Sequence, residues 1–93
     1  MPSRFAACVA VTAALWVAAP AFAIDADKTI GEALAARGSG DYVRARSLLQ
    51  TVLVEDTKNA RALHELGVLH AIFGELDRAA AMFERALQAD PTL

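Results

Sequence analysis

The sequence is poor in the residues from which most catalytic and metal sites are built. Its 93 residues include one cysteine, one tryptophan, one tyrosine and two histidines. A lone cysteine cannot close a disulfide within the chain, nor can it supply the cysteine cluster of a structural zinc site. A disulfide-stapled scaffold and a zinc finger are therefore excluded.

The chain also lacks a large excess of positive or negative charge. The net charge is −2 at pH 7, and the nine basic and eleven acidic residues are spread along the chain without a basic stripe. Proteins that bind nucleic acid or an anionic membrane surface need a basic patch. We therefore expect neither nucleic acid nor an anionic membrane as a partner.

The first 23 residues differ in composition from the rest of the chain. Arg4 is their only charge, and residues 5–19 are apolar apart from one threonine. Pro20 ends this run, and Ala21–Ala23 is a small-x-small exit of the kind that signal peptidase accepts. This pattern predicts a secretory signal peptide over residues 1–23, removed at the end of that range.

Cleavage there would release a protein that begins at Ile24 and is periplasmic or secreted. The alternative is an uncleaved membrane anchor. A spanning helix needs ~20 predominantly apolar residues, whereas this run is shorter and is closed by proline. We therefore expect no stable membrane span after cleavage. Cys8 would leave with the signal, so no thiol would remain in an oxidising compartment.

The rest of the chain repeats itself at a fixed period. Gly40–Arg46 is echoed thirty-four residues later by Gly74–Ala80, and Leu49 has its counterpart in Phe83 at the same offset. Self-similarity at such a period indicates stacked repeat units. Arrays of this kind usually present a surface to a partner and carry no chemistry of their own.

Apolar residues recur at three- and four-residue steps, which places them on one face of a helix. Four segments show this spacing: Asp27–Arg37, Tyr42–Val54, Ala60–Phe73, and one that begins at Leu76 and is stopped by Pro91. Gly38–Gly40 and Gly74 are expected to form the turns, and Asn59 to cap the third helix. No segment alternates with period two for long enough to indicate a strand. The chain is therefore predicted to be all-α.

The last thirty-four residues carry a spaced set of marker residues in their two helices. They are Leu63, Leu66, Gly67, His70, Ala79, Phe83, Ala86 and Pro91. The set resembles the tetratricopeptide repeat, whose pattern is W-x₂-L-G-x₂-Y followed by A-x₃-F, A and P. The resemblance implies that Gly67 and Ala79 are small because the paired helices cross closely there. It also implies that Phe83 fills the gap between units.

Residues 24–59 resemble the same unit less closely. The second helix fits, but Glu32 and Ala33 stand where Leu-Gly is expected, and Thr57 replaces the proline. The predicted architecture is therefore two α–α hairpin repeats after the signal peptide. Residues 24–59 are the degenerate first repeat, and residues 60–93 are the second.

In this family the first helix of each hairpin lines a concave groove that holds an extended peptide or a partner helix. The resemblance implies a groove lined by Ile30, Leu34, Arg37, Arg61, His64, Val68, Ala71 and Ile72. Family members that clamp a carboxyl terminus use lysine and asparagine on this face, which these positions lack. We therefore expect an apolar peptide or helix as the partner. The alternative is that Ile30 and Leu34 pack internally.

No catalytic, metal or cofactor site is expected. His64 and His70 are six residues apart on different faces of one helix, whereas a shared ion favours a spacing of four. His70 occupies a packing position and is expected to hydrogen-bond within the core, whereas His64 is expected to be solvated. Ser39 lies in a turn and Ser47 on an outer helix face, without a histidine nearby in sequence.

Two repeats leave apolar surface uncovered, since three or more are usually needed for stability. Leu76, Ala80, Phe83 and Leu87 share one face of the last helix with Ala79 and Ala86, and Phe83, Leu87 and the exposed side of this helix are expected to remain partly uncovered. The predicted function is an exported, non-catalytic interaction module that scaffolds or chaperones another protein. The alternative is a structural subunit that self-associates through its uncapped repeats.

Overall fold

A computed structural model describes residues 24–93, and the predicted signal peptide at residues 1–23 lies outside the described residues. The described part forms four helices: α1 (Ala26–Gly38), α2 (Tyr42–Glu55), α3 (Ala60–Ile72) and α4 (Leu76–Ala89). It contains no strand. The predicted all-α fold of two helical hairpins is confirmed, and each predicted helix bound lies within one residue of the observed one.

Short polar side chains determine where three of the helices begin. The side chains of Asp25, Asp41 and Asn59 each accept a hydrogen bond from the backbone N–H three residues later, at 3.0–3.2 Å. Such bonds satisfy amides that have no partner inside the helix. The predicted cap at Asn59 is thus confirmed. Helix α4 differs, because Glu75 at its N-cap makes no side-chain bond of this kind.

The two hairpins turn by the same backbone geometry. Gly40 has φ +86° and Gly74 has φ +80°, a region that residues with a Cβ rarely adopt. The next amide in each turn donates to a carbonyl five residues earlier, at 2.9 Å from Asp41 and 2.8 Å from Glu75. This is the Schellman arrangement that ends many helices. The thirty-four-residue repeat in the sequence is therefore also a repeat in the turns.

Helix α3 packs on two sides. Its residues Ala62, Leu66 and Leu69 join the core of the first hairpin. The rest of that core comes from α1 and α2: Ile30, Ala33, Ala36, Ala45, Leu49 and Val52. A second row on α3, which includes Gly67, packs against α4. Helix α3 is therefore the element that connects the two hairpins.

Polar and aromatic contacts join the hairpins at several points. Arg37 Nη1 on α1 pairs with Glu65 Oε2 on α3 at 2.5 Å. The Tyr42 and Phe73 rings meet edge to face with centroids 6.2 Å apart, and the Arg46 guanidinium lies 5.0 Å from the Phe73 ring centre. These contacts involve α1, α2 and the carboxyl end of α3. They hold the second hairpin in one orientation against the first.

Gly67 lies directly against Phe83 within the second hairpin. A Cβ at Gly67 would stand 2.7 Å from Phe83 Cε1, so the close approach predicted there is present. The expectation that Phe83 fills the gap between units is not met. Its ring packs on α3 of its own hairpin, while Met82 is the α4 residue that packs against the core shared with the first hairpin. The reason is that adjacent positions on a helix point about 100° apart.

Within residues 24–93, no helix is long and apolar enough to cross a membrane.

Candidate functional site

One side of α3 remains uncovered by the other described helices. Five of the predicted groove residues lie on it, spaced so that they share one face. They are Arg61, His64, Val68, Ala71 and Ile72. Four of them are exposed and Val68 is half-buried, while the apolar Ile72 keeps 46% of its surface open. We call this set the α3 face.

Helix α1 contributes less to such a groove than predicted. Ile30 is fully buried, with an exposed fraction of 0%. Leu34 is half-buried and packs against the same core. Ile30 is therefore removed from the predicted binding residues, and it packs internally as the alternative interpretation expected. The physical reason is that Ala33 and Ala36 bring α1 close to its neighbours, so a larger side chain at Ile30 is enclosed.

Arg37 lies at the junction of α1 and α3 but is already engaged. Its guanidinium pairs with Glu65, and both side chains are partly shielded from water. Arg61, by contrast, is exposed and forms no ion pair within the described residues. Of the two predicted arginines, Arg61 is the one with donors free for a partner.

Glu65 is a residue of this surface that sequence reasoning missed. It follows Arg61 by four residues on α3, a spacing that suggests only a local ion pair. Its observed partner, Arg37, is 28 residues away in the sequence. That pairing depends on how one hairpin stacks on the other, which no local pattern reveals.

A second uncovered surface lies on α4. We define the α4 outer surface as Leu76, Ala80, Phe83, Leu87 and Leu93. Leu76 is 68% exposed, Leu87 50% and Leu93 54%, and Phe83 is half-buried. His64, Ala86 and three members of this surface line a shallow depression. The exposure of Leu87 and the half-burial of Phe83 agree with the expectation that this side of α4 remains partly uncovered, because α3 covers only the side that carries Ala79 and Ala86.

The two histidines occupy different environments. His64 is exposed as predicted, and its ring centroid lies 5.4 Å from that of Phe83. His70 is buried, but its Nδ1 has no hydrogen-bond partner among the described residues, so the predicted core hydrogen bond is absent. The nearest carboxylate oxygen, Glu75 Oε2, is 3.7 Å away and pairs instead with Arg78 Nη1 at 2.8 Å. The Glu75 carboxylate therefore lies beyond hydrogen-bonding distance of His70 Nδ1.

Metal-ligating side chains do not gather within residues 24–93. No group of three or more histidine, cysteine, aspartate or glutamate residues there is arranged to hold an ion.

The carboxyl end of α4 carries one perturbed carboxyl. The Thr92 hydroxyl donates to Asp90 at 2.6 Å, and the Thr92 backbone N–H donates to the same oxygen at 3.0 Å. These bonds lower the pKa of Asp90 below its ordinary value, because they favour the charged form. They also hold the last residues, including Leu93, beside the α4 outer surface.

The described residues form a helical repeat protein, in which α–α hairpins stack and leave apolar faces uncovered. The model of the tetratricopeptide repeat family matches residues 30–93, and the chain belongs to that family. A comparison with curated proteins gives no match. Repeats of this family are scaffolds that bind other proteins and are generally non-catalytic, so membership supports protein binding as the general function.

Proposed function

We propose that this protein is an exported, non-catalytic interaction module that acts in the periplasm or outside the cell and scaffolds or chaperones another protein. Export is supported by the signal-like pattern of residues 1–23. The interaction role is supported by the family. The observation that carries the proposal is the α3 face, where apolar side chains lie open beside a free arginine.

The chemistry of the α3 face favours an apolar segment with a carboxylate near one end. Val68, Ala71 and Ile72 offer apolar contact along about one helical turn, and Arg61 lies two turns away towards the start of α3. Burial of apolar side chains supplies most of the affinity in such grooves, while a guanidinium at the margin orients an acidic group. A partner helix or extended peptide of this composition is the proposed ligand.

The test is capture of the partner by matched variants. The full chain, tagged at its carboxyl end, is exported and recovered with bound protein from the cell envelope or medium. We expect the double change Val68→Asp and Ile72→Asp to reduce partner retention at least ~10-fold, equivalent to about 1.4 kcal/mol. Leu34 is left unchanged because it also packs against the core.

The double change Val43→Asp and Val54→Asp is the matched control for this experiment. Val43 is 64% and Val54 81% exposed on α2, so this change adds the same charge without altering the α3 face. Helicity measured by circular dichroism should be equal in all three proteins. Equal retention by the α3-face variant and the control would remove this face from the proposal.

Export is tested separately by sequencing the amino end of the exported protein. The proposal predicts a product that begins at Ile24 and is found outside the cytoplasm. A product that still begins at Met1 or Ser3 would contradict removal of the signal peptide.

A structural subunit that self-associates is a second candidate. The observation that favours it is the exposure of Leu76 and Leu87 on the α4 outer surface. Contiguous apolar exposure of this kind often marks an interaction site. The two candidates are distinguishable because they use different helices.

A further inference from the structure

The segment before α1 is tied to the end of α2 by residues far apart in the sequence. The backbone N–H of Ile24 donates to Oε2 of Glu55 at 3.0 Å, across a sequence separation of 31. The Ile24 side chain is half-buried and packs against the core of the first hairpin. The nitrogen is therefore held in place by side-chain packing as well as by the carboxylate.

The end of α2 carries negative charge, and no cation forms an ion pair with it within the described residues. Glu55 is the last residue of the helix, Asp56 follows it, and the last turn contains no basic residue. The carbonyls at a helix carboxyl end add a further partial negative charge. Within the described residues, Glu55 forms no ion pair. A cation beside Glu55 would be favoured by the carboxylate and by the helix end together.

We propose that Glu55 is the receptor for the α-ammonium group that signal-peptide removal would create at Ile24. This inference rests on the proposed export, which places the cleaved bond between Ala23 and Ile24. Hydrolysis adds one water across that bond: Ala23 keeps the new carboxylate, and the Ile24 nitrogen takes up protons to become an ammonium group. The neutral donor now 3.0 Å from Glu55 becomes a charged one. The Coulomb attraction between two unlike charges is then added to a hydrogen bond whose acceptor is already charged.

Other charged groups lie near the two partners on α1 and in the loop after α2. Asp25 and Asp56 accept backbone N–H bonds from Lys28 and Lys58, at 3.2 and 3.3 Å, and Asp27 lies in the first turn of α1. The three aspartates would attract an ammonium group at Ile24, and the ammonium groups of Lys28 and Lys58 would repel it. The test must therefore separate the stabilisation that Glu55 gives to the ammonium group from the effect of these neighbouring charges.

The experiment uses the processed protein that results from export of the full chain. Its amino end is sequenced, and half of the sample is acetylated at the α-amino group under mildly acidic conditions, where the lysines are protonated and unreactive. Acetylation removes the charge but keeps an N–H on the Ile24 nitrogen. Thermal unfolding of both forms is followed by circular dichroism at neutral pH and low salt.

We expect acetylation to lower Tm by roughly 1–5 °C, the effect of one modest ion pair in a domain of this size. In Glu55→Gln the same acetylation should lower Tm by a clearly smaller amount, because only the aspartates then remain to attract the ammonium group. Glu84→Gln is the matched control, because Glu84 is an exposed carboxylate on α4 without an ion-pair partner in the described residues. In Glu84→Gln, acetylation should lower Tm by as much as it does in the unaltered protein. Molar salt should reduce the effect of acetylation, since screening weakens exposed pairs.

The outcomes separate this inference from the export proposal. A product that begins at Ile24 but responds to acetylation equally in Glu55→Gln and in Glu84→Gln overturns the receptor and leaves export intact. A product that begins at Ile24 and shows no change of Tm on acetylation also overturns the receptor and leaves export intact. A product that begins at another residue overturns the predicted cleavage site and the receptor together.

Discussion

Gly67 and Phe83 are in direct contact inside the second hairpin. A Cβ on Gly67 would approach Phe83 Cε1 to 2.7 Å and Cδ1 to 2.8 Å. Carbon atoms in ordinary contact are ~3.5–4.0 Å apart. Any larger residue at Gly67 therefore requires the ring to move, and the ring is confined by α3 on one side. This position needs glycine for space, since its backbone is ordinary helix.

We expect Gly67→Ala to lower the free energy of unfolding by up to about 2 kcal/mol. Overpacking destabilises by roughly 1–3 kcal/mol, and the higher helix propensity of alanine offsets only about 1 kcal/mol of that loss. Gly31→Ala is the matched control, since Gly31 lies in α1 with nothing within 4 Å of its Cβ position. That change should raise the free energy of unfolding by about 0.5–1 kcal/mol. Urea denaturation measures both, and effects of the same sign would contradict the close contact.

His70 is a buried polar group whose Nδ1 lacks a partner in the described residues. We expect His70→Leu to raise the free energy of unfolding by about 1 kcal/mol, because an unsatisfied buried group costs ~1–3 kcal/mol. Leucine has a similar volume, so little repacking is needed. Denaturant unfolding of the variant and the wild type gives the difference. A loss of stability in the variant would mean that Nδ1 is satisfied in solution, with Glu75 as the nearest candidate.

At the scale of elements, helix α3 depends on a single side-chain cap. Asn59 accepts the N–H of Ala62 at 3.0 Å and so satisfies one of the unpaired amides at its start. We expect Asn59→Ala to lower the free energy of unfolding by about 1 kcal/mol. Asn59→Ser, which can make the same bond, should stay within a few tenths of the wild-type value. A comparable loss in both variants would show that Asn59 contributes through another contact.

The helix bounds could be predicted from the sequence because their causes are local. Asn59 caps α3 through a bond to its own neighbour in the chain, and Gly74 ends the turn through its own backbone angle. Which apolar residues of α4 are buried could be predicted only in part. Periodicity groups Leu76 and Leu87 with the buried Ala79, but only tertiary packing determines how wide an arc α3 covers.

At the scale of the whole molecule, the α4 outer surface is an extended uncovered apolar area among residues 24–93. We expect the sedimentation coefficient of the processed protein to rise with concentration if this surface meets a second copy. The double change Leu76→Gln and Leu87→Gln should abolish that rise while keeping the fold, because both residues are at least half exposed. Val54→Gln is the control, since Val54 is 81% exposed on α2. An unchanged rise in the double variant would contradict association through α4.

The candidate binding surface shows the same division between local and tertiary causes. Helical spacing correctly placed Arg61, Val68 and Ile72 on one face of α3, because positions on one helix are related by a fixed angle. The role of Ile30 depended on its neighbours. Helical spacing located it on one face of α1, but whether that face was open or covered was a matter of how α1 packs.

The sequence by itself determined the family, through spaced markers and a repeat that can be aligned along the chain. It also determined the helix number and bounds and the turns, since these follow from residues within a few positions of one another. The tertiary structure alone decided which apolar residues are covered, that Arg37 pairs with Glu65, and that Ile24 meets Glu55. Those contacts join residues about 28–31 positions apart. The chain must stack one helix on another before such groups meet, and a one-dimensional period carries no information about that stacking.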